Sequence, residues 1–99
     1  MSVYVIATLK MKPGSLDAVR EGAMPCIEGT RKEAGCISYD LHQSMTDPDT
    51  LVFVERWKSR DDLNAHFHEP HFLTWRDIGG PLFLERSIEI IENGKVEIL

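Results

Sequence analysis

The stretch Cys36-Ile-Ser-Tyr-Asp-Leu-His-Gln43, the following Thr46-Asp-Pro-Asp49 and then Thr50-Leu-Val-Phe-Val-Glu-Arg-Trp57 decide the fold. Ile37, Tyr39 and Leu41 alternate with Cys36, Ser38, Asp40 and His42, the period of two that marks a strand with two different faces. Two aspartates around a proline form a turn signal. Thr50 to Trp57 reads as the return strand, apolar on both faces until Glu55 and Arg56. Two strands joined by so short a connection pair antiparallel.

Before this pair, Val3 to Leu9 is almost wholly apolar and rich in β-branched residues, which predicts a strand buried on both faces. Lys12-Pro-Gly-Ser15 is a turn, with Ser15 placed to cap a helix. Leu16, Val19, Ala23, Cys26, Ile27, Thr30 and Ala34 then recur at helical spacing. Pro25, with Gly22 and Gly29, predicts a kinked or split helix, and Gly35 suits its C-terminal stop.

After the pair, Ser59 and Asp62 resemble a capping box that opens a short helix through His68. Pro70 interrupts it, and a further helix carries Phe72, Trp75 and Ile78 to a stop at Gly79-Gly80. Ser87 to Glu92 is the last core strand. Asn93-Gly94 is a two-residue turn signal that leads into Lys95 to Leu99 as an extended tail.

The order β-α-β-β-α-(α)-β predicts an α+β domain spanning 1–99, with a ferredoxin-like split βαβ arrangement and an antiparallel sheet. Helices cover one face of such a sheet, yet Val3 to Leu9 and Leu51 to Val54 are apolar on both. A homodimer with two sheets packed face to face resolves the conflict.

The chain of 99 residues is 42% hydrophobic and 27% charged, a composition that supports one modest core. Its net charge of -5 excludes a nucleic-acid partner and an anionic membrane surface, because there is no cationic excess to neutralise phosphates. No stretch approaches transmembrane length, and Met1-Ser-Val-Tyr has neither the basic start nor the apolar run of a leader. The expected location is cytoplasmic, with Cys26 and Cys36 as reduced thiols.

Three residues invite chemistry. Glu55 shares the parity of Phe53 and Trp57, so its carboxylate faces an apolar interior and must be paired or protonated. It is either a proton carrier or half of an ion pair with Arg76 or Arg86. Trp57 ends its strand as a flat apolar wall with one N–H donor, or as an ordinary core aromatic. His66 lies on the inward side of its helix, as a general base or as a core histidine bonded to a backbone carbonyl. His68 falls on the opposite, solvated side, and His71 sits at a helix start where it caps or lines a pocket mouth. His66-x-His68-x-x-His71 lacks metal-ligand spacing, because two ligands on one helix face stand three or four residues apart and Pro70 breaks the helix. No metal or cofactor is expected, and there is no phosphate-binding loop or nucleophile elbow.

Glu33-x-Gly35-Cys36-x-x-Tyr39, Glu55-x-Trp57-x-Ser59 and Ala65-His66-x-x-x-Pro70-His71, with the opening strand and Lys12-Pro13-Gly14, resemble the antibiotic biosynthesis monooxygenase family, in particular its small quinol-monooxygenase-like members. The resemblance covers nearly the whole chain. It implies a dimeric α+β barrel of two ferredoxin-like units, each with a pocket between sheet and helices. It implies a cofactor-independent oxidation of a quinol or polycyclic phenol by O2, with the substrate supplying the electron after deprotonation. On that resemblance Trp57 packs against the ring, and His66 or Glu55 takes the phenolic proton. Tyr39, His71 and Arg76 orient oxygens, while Phe53, Phe72 and Trp75 complete the substrate site. Haem-degrading relatives use an Asn on the first strand, and Val3 to Lys10 contains none. Another branch isomerises a phosphorylated sugar and needs a phosphate anchor, for which Arg76 or Arg86 is available. A dimeric module without catalysis, binding a small ligand or none, is the third reading.

Overall fold

The computed structural model describes residues 2–99. Five strands form one antiparallel sheet in the order β2-β3-β1-β4-β5. In chain order the elements are β1 (Val3–Met11), α1 (Leu16–Arg31), β2 (Cys36–Gln43), β3 (Thr50–Trp57), α2 (Arg60–His66), α3 (Pro70–Gly79), a single 3-10 turn (Gly80–Leu82), β4 (Phe83–Glu92) and β5 (Lys95–Ile98). This is the α+β, ferredoxin-like arrangement expected, with β1 central between β3 and β4. Among the described residues no helix is long and apolar enough to cross a membrane.

Register explains which side chains meet. Val5 of β1 stands opposite Glu55 of β3 and Ile90 of β4, and Tyr39 of β2 stands opposite Glu55 on its other side. Side chains alternate across a strand, so all four residues point to the same, helix-covered face. On that face Val3, Val5, Ala7, Leu9, Leu51, Phe53, Trp57, Tyr39 and Ile90 are buried against Val19, Ala23, Cys26 and Ile27 of α1 and Leu63 of α2. The opposite face is open. Val54 retains 39% of its surface, Tyr4 43%, Val96 54% and Ile98 72%, so the strands read as doubly buried are covered here on one side only.

Four local expectations are corrected. Helix α1 runs unbroken through Pro25. Pro25 and Glu21, whose carbonyl loses its partner, lie on the exposed side, where water can serve that carbonyl, while Ala23, Cys26 and Ile27 anchor the other side. Gly22 and Gly29 serve close packing: an added Cβ would stand 2.7 Å from Ile78 Cγ2 at the first and 2.8 Å from the His71 ring at the second. Gly35 is not the helix stop, since α1 ends at Arg31 and Gly35 instead lets the α1–β2 turn pass tightly over Asp62. Ile37 is exposed because the β2–β3 register shifts between Cys36 and Ser38, which turns Cys36 rather than Ile37 toward the core.

The capping box is present. Ser59 Oγ accepts from the Asp62 backbone N–H at 3.1 Å and donates to its carboxylate at 2.8 Å. Ser15 precedes α1 as predicted but makes no side-chain cap bond. Asn93 and Gly94 both have positive φ, 52° and 75°, which makes a hairpin turn of them. The predicted tail is therefore a fifth strand, with Ile91 opposite Val96 and Glu92 opposite Lys95.

Candidate active site

Between the helix-side face of the sheet and α3 lies a cavity of about 100 Å³. One water needs roughly 10–15 Å³ of such space, so there is room for a small aromatic group. Tyr39, Phe53, Glu55, His66, Phe72 and Trp75 line it, with Arg76 and Arg86. Six of the nine residues read from the sequence as site candidates thus meet at one space, and Arg76 makes a seventh.

Trp57 and His71 stand elsewhere. Trp57 is fully buried behind the cavity wall and is not part of its lining. Its ring lies 4.7 Å from that of His66, and its Nε1–H donates to Glu55 Oε1 at 3.0 Å. The aromatic wall assigned to it is supplied by Phe53 and Trp75, whose rings are 6.3 Å apart and edge-on, and by Phe72. Trp57 ends β3 under α2, and that position aims its indole at the two titratable groups instead.

His66, the last residue of α2, is 1% exposed. Its Nδ1 lies 2.7 Å from Glu33 Oε2, and His71 Nε2 lies 2.8 Å from the same oxygen. Two ring nitrogens sharing a carboxylate oxygen require N–H donors on both. Glu33 therefore fixes the His66 proton on Nδ1 and leaves Nε2 as a free acceptor. No protein group among the described residues bonds that Nε2. Burial, the largest cause, holds the His66 pKa below the usual imidazole value, against the opposing pull of Glu33. The ring is thus neutral at pH 7, a base with its lone pair available.

Glu33 carries no role in the sequence reading, although it begins the first of the three quoted motifs. It sits in the turn between α1 and β2 with its side chain 12% exposed. The sequence offers one signal, an acidic residue two before Gly35 at a helix–strand corner, which is indistinguishable from a solvated turn residue. The ligand-capable atoms of Glu33, His66 and His71 all lie within 4.8 Å of one another. The spacing argument that set metal binding aside thus missed the cluster, because Pro70 at the start of α3 turns His71 back toward α2. In this arrangement the two imidazoles stand at hydrogen-bond distance from one carboxylate oxygen, 2.7 and 2.8 Å.

Among the described residues Glu55 has no arginine partner, so the ion pair considered for it with Arg76 or Arg86 is not formed. Its pKa is pushed up to about 7, chiefly by burial, with the Trp57 N–H opposing. Near neutral pH it exchanges a proton readily. Tyr39 is 2% exposed, and burial drives its phenol pKa far upward, with Glu55 adding to the effect. It stays a neutral donor whose only side-chain partner among the described residues is Cys26 Sγ at 3.9 Å. Both cysteines are free, and burial raises both thiols, Cys36 to about 11, so neither is a ready nucleophile.

A family model described as antibiotic biosynthesis monooxygenase matches residues 2–78. A Mycobacterium tuberculosis protein provisionally named monooxygenase Rv0793 is 41% identical over 88 residues, covering 89% of this chain and 85% of its own. The Escherichia coli protein provisionally named quinol monooxygenase YgiN is 31% identical over 101 residues, covering 91% and 96%. A solved structure from Nitrosomonas europaea, provisionally named an antibiotic biosynthesis monooxygenase, superposes with a TM-score of 0.89 at 30% identity, over 93% of this chain and 89% of that one.

Proposed function

Because the chain belongs to the antibiotic biosynthesis monooxygenase family, we propose that it is a cofactor-independent oxygenase of a small quinol or polycyclic phenol. One observation carries this reading. A neutral His66, its Nδ1–H tied to Glu33 and its Nε2 free, shares an aromatic cavity with a carboxyl group that titrates near 7.

His66 Nε2 takes the phenolic proton. The phenolate, held among Phe53, Phe72 and Trp75, passes one electron to O2. The radical pair joins at a ring carbon to form a C–O bond, and Glu55 hands a proton to the resulting peroxide. Loss of the ring C–H proton and cleavage of the O–O bond leave a carbonyl and water. The phenol loses four electrons and O2 gains four, so no other reductant is needed. Tyr39 donates to substrate oxygen, and the scarcity of water strengthens each of these contacts.

The open sheet face completes the proposal. Tyr4, Ile6, Val52, Val54, Ile91, Val96 and Ile98 form an apolar surface that a second copy would cover, making a homodimer. The oxygenation is tested under 18O2 with a tricyclic phenol. One labelled atom in the new carbonyl and one in water support it, and an unlabelled product with hydrogen peroxide as the reduced oxygen species rules it out.

A further inference from the structure

We propose that the mouth of this cavity is an oxyanion subsite formed by Arg76 and Arg86, so that the preferred ligand is an aromatic compound bearing a carboxylate or phosphate.

Arg86 lies in the middle of β4, opposite Leu9 of β1. Ile88 and Ile90, on the same face of β4, stand opposite Ala7 and Val5. Arg86 therefore continues the row of side chains that faces the helices, where an apolar residue would extend the core. It reaches the cavity just beyond the 3-10 turn, together with Arg76 from the last turn of α3. Both residues are exposed, whereas Glu55 and His66 at the other end of the same space are buried. The cavity is thus polarised, with proton acceptors at its floor and two guanidinium groups at its rim.

Those guanidinium groups are unspent. Arg20, Arg31 and Arg60 face Asp17, Asp40 and Glu97, and Arg56 lies over the Tyr4 ring. Among the described residues Arg76 has only its sequence neighbour Asp77 at 3.6 Å, with both side chains mostly exposed. Arg86 makes no ion pair or side-chain hydrogen bond among the described residues. In a chain with 16 acidic and 11 basic residues, a carboxylate partner is easy to supply, so an arginine without one at a pocket rim is available to a ligand. A planar fork of donors suits a carboxylate or phosphate oxygen pair. The apolar lining between rim and floor sets the rest of the ligand, a fused aromatic ring system.

The inference rests on the reading of this cavity as the substrate site, but its test does not depend on turnover. Titration of the 15N-labelled protein is followed at the Trp75 indole, in the lining, and at Trp57, behind it. The probes are 2-naphthoate, 2-naphthyl phosphate and the neutral isostere 2-naphthamide. We expect one of the two anions to bind about tenfold tighter than the amide at low salt, moving Trp75 most. Arg86→Gln and Arg76→Gln should each reduce that preference, and the double variant should abolish it, with amide binding losing far less than anion binding. Equal affinity for all three probes, no binding of any, or equal loss of anion and amide in the folded variants overturns the proposal. Anion binding without oxygenase activity would sustain the subsite and refute the oxygenase.

Discussion

Replacing Glu33 by Gln tests the base directly. The substitution keeps the side-chain shape and removes the charge that faces His66 Nδ1 at 2.7 Å. During proton abstraction His66 becomes an imidazolium, and the carboxylate beside it stabilises that cation. The pair is shielded, at 1% and 12% side-chain exposure, so solvent screens it little. At an effective dielectric near 20, opposite charges about 4 Å apart interact by roughly 4 kcal/mol, and about half of this survives if the amide oxygen keeps a neutral hydrogen bond. A loss of about 2–4 kcal/mol corresponds to a fall in kcat of roughly thirtyfold to a thousandfold. Glu33 also raises the His66 pKa, against burial. Without it the pKa drops further, so the acid limb of the kcat/KM profile moves to lower pH. His71→Ala, which leaves the charge in place, should cost less than about tenfold. Oxygen uptake across pH, on variants shown to be folded by circular dichroism, reads both effects. A Glu33→Gln enzyme within threefold of the parent, with an unmoved acid limb, would refute the role of Glu33 and with it the fixed His66 tautomer.

Glu55 has a folded-state pKa of about 7, above the 4.5 of an exposed carboxyl, so its contribution to stability falls as pH rises between those values. From pH 5 to 8 it withdraws about 2.5 kcal/mol, and Glu55→Gln should remove that slope in urea denaturation; a parallel slope in the variant contradicts the burial argument. His66 acts in the opposite sense, because its lowered pKa subtracts stability as pH falls below about 6.5. Ser59→Ala removes the cap of α2, which carries His66, and should cost about 1 kcal/mol by the same assay. Val54→Asp places a charge on the open sheet face and should convert a dimer to a folded monomer of 11.3 kDa by light scattering. A parent protein already at that mass would dispose of the dimer.

The strands and their faces were legible because period-two alternation is a local signal: Thr50 to Trp57 is a strand with the predicted ends, and Glu55 points inward with Phe53. Inward placement of His66 followed from Leu63 one turn earlier. What escaped depends on distance in sequence. Glu33 meets His66 and His71 across separations of 33 and 38 residues, joined by the packing of α1 against α3 and of the α1–β2 turn against Asp62 of α2. The break at Pro70 was visible, but the direction in which it sends His71 was not. Likewise the bulge at Ile37 is a property of the β2–β3 register, which alternation in β2 alone cannot display. Trp57 ends its strand as predicted, but the chain says nothing about which side of a wall an aromatic occupies, and here it stands behind the cavity.

The most direct test of cofactor-free oxygenation is oxygen consumption by metal-stripped protein with a reduced naphthoquinol and a tricyclic phenol, set against His66→Ala and the rate without protein. The account predicts uptake above autoxidation that falls by roughly a hundredfold or more in His66→Ala. Uptake that is unchanged in the variant, or that returns only when a metal is restored, would contradict it.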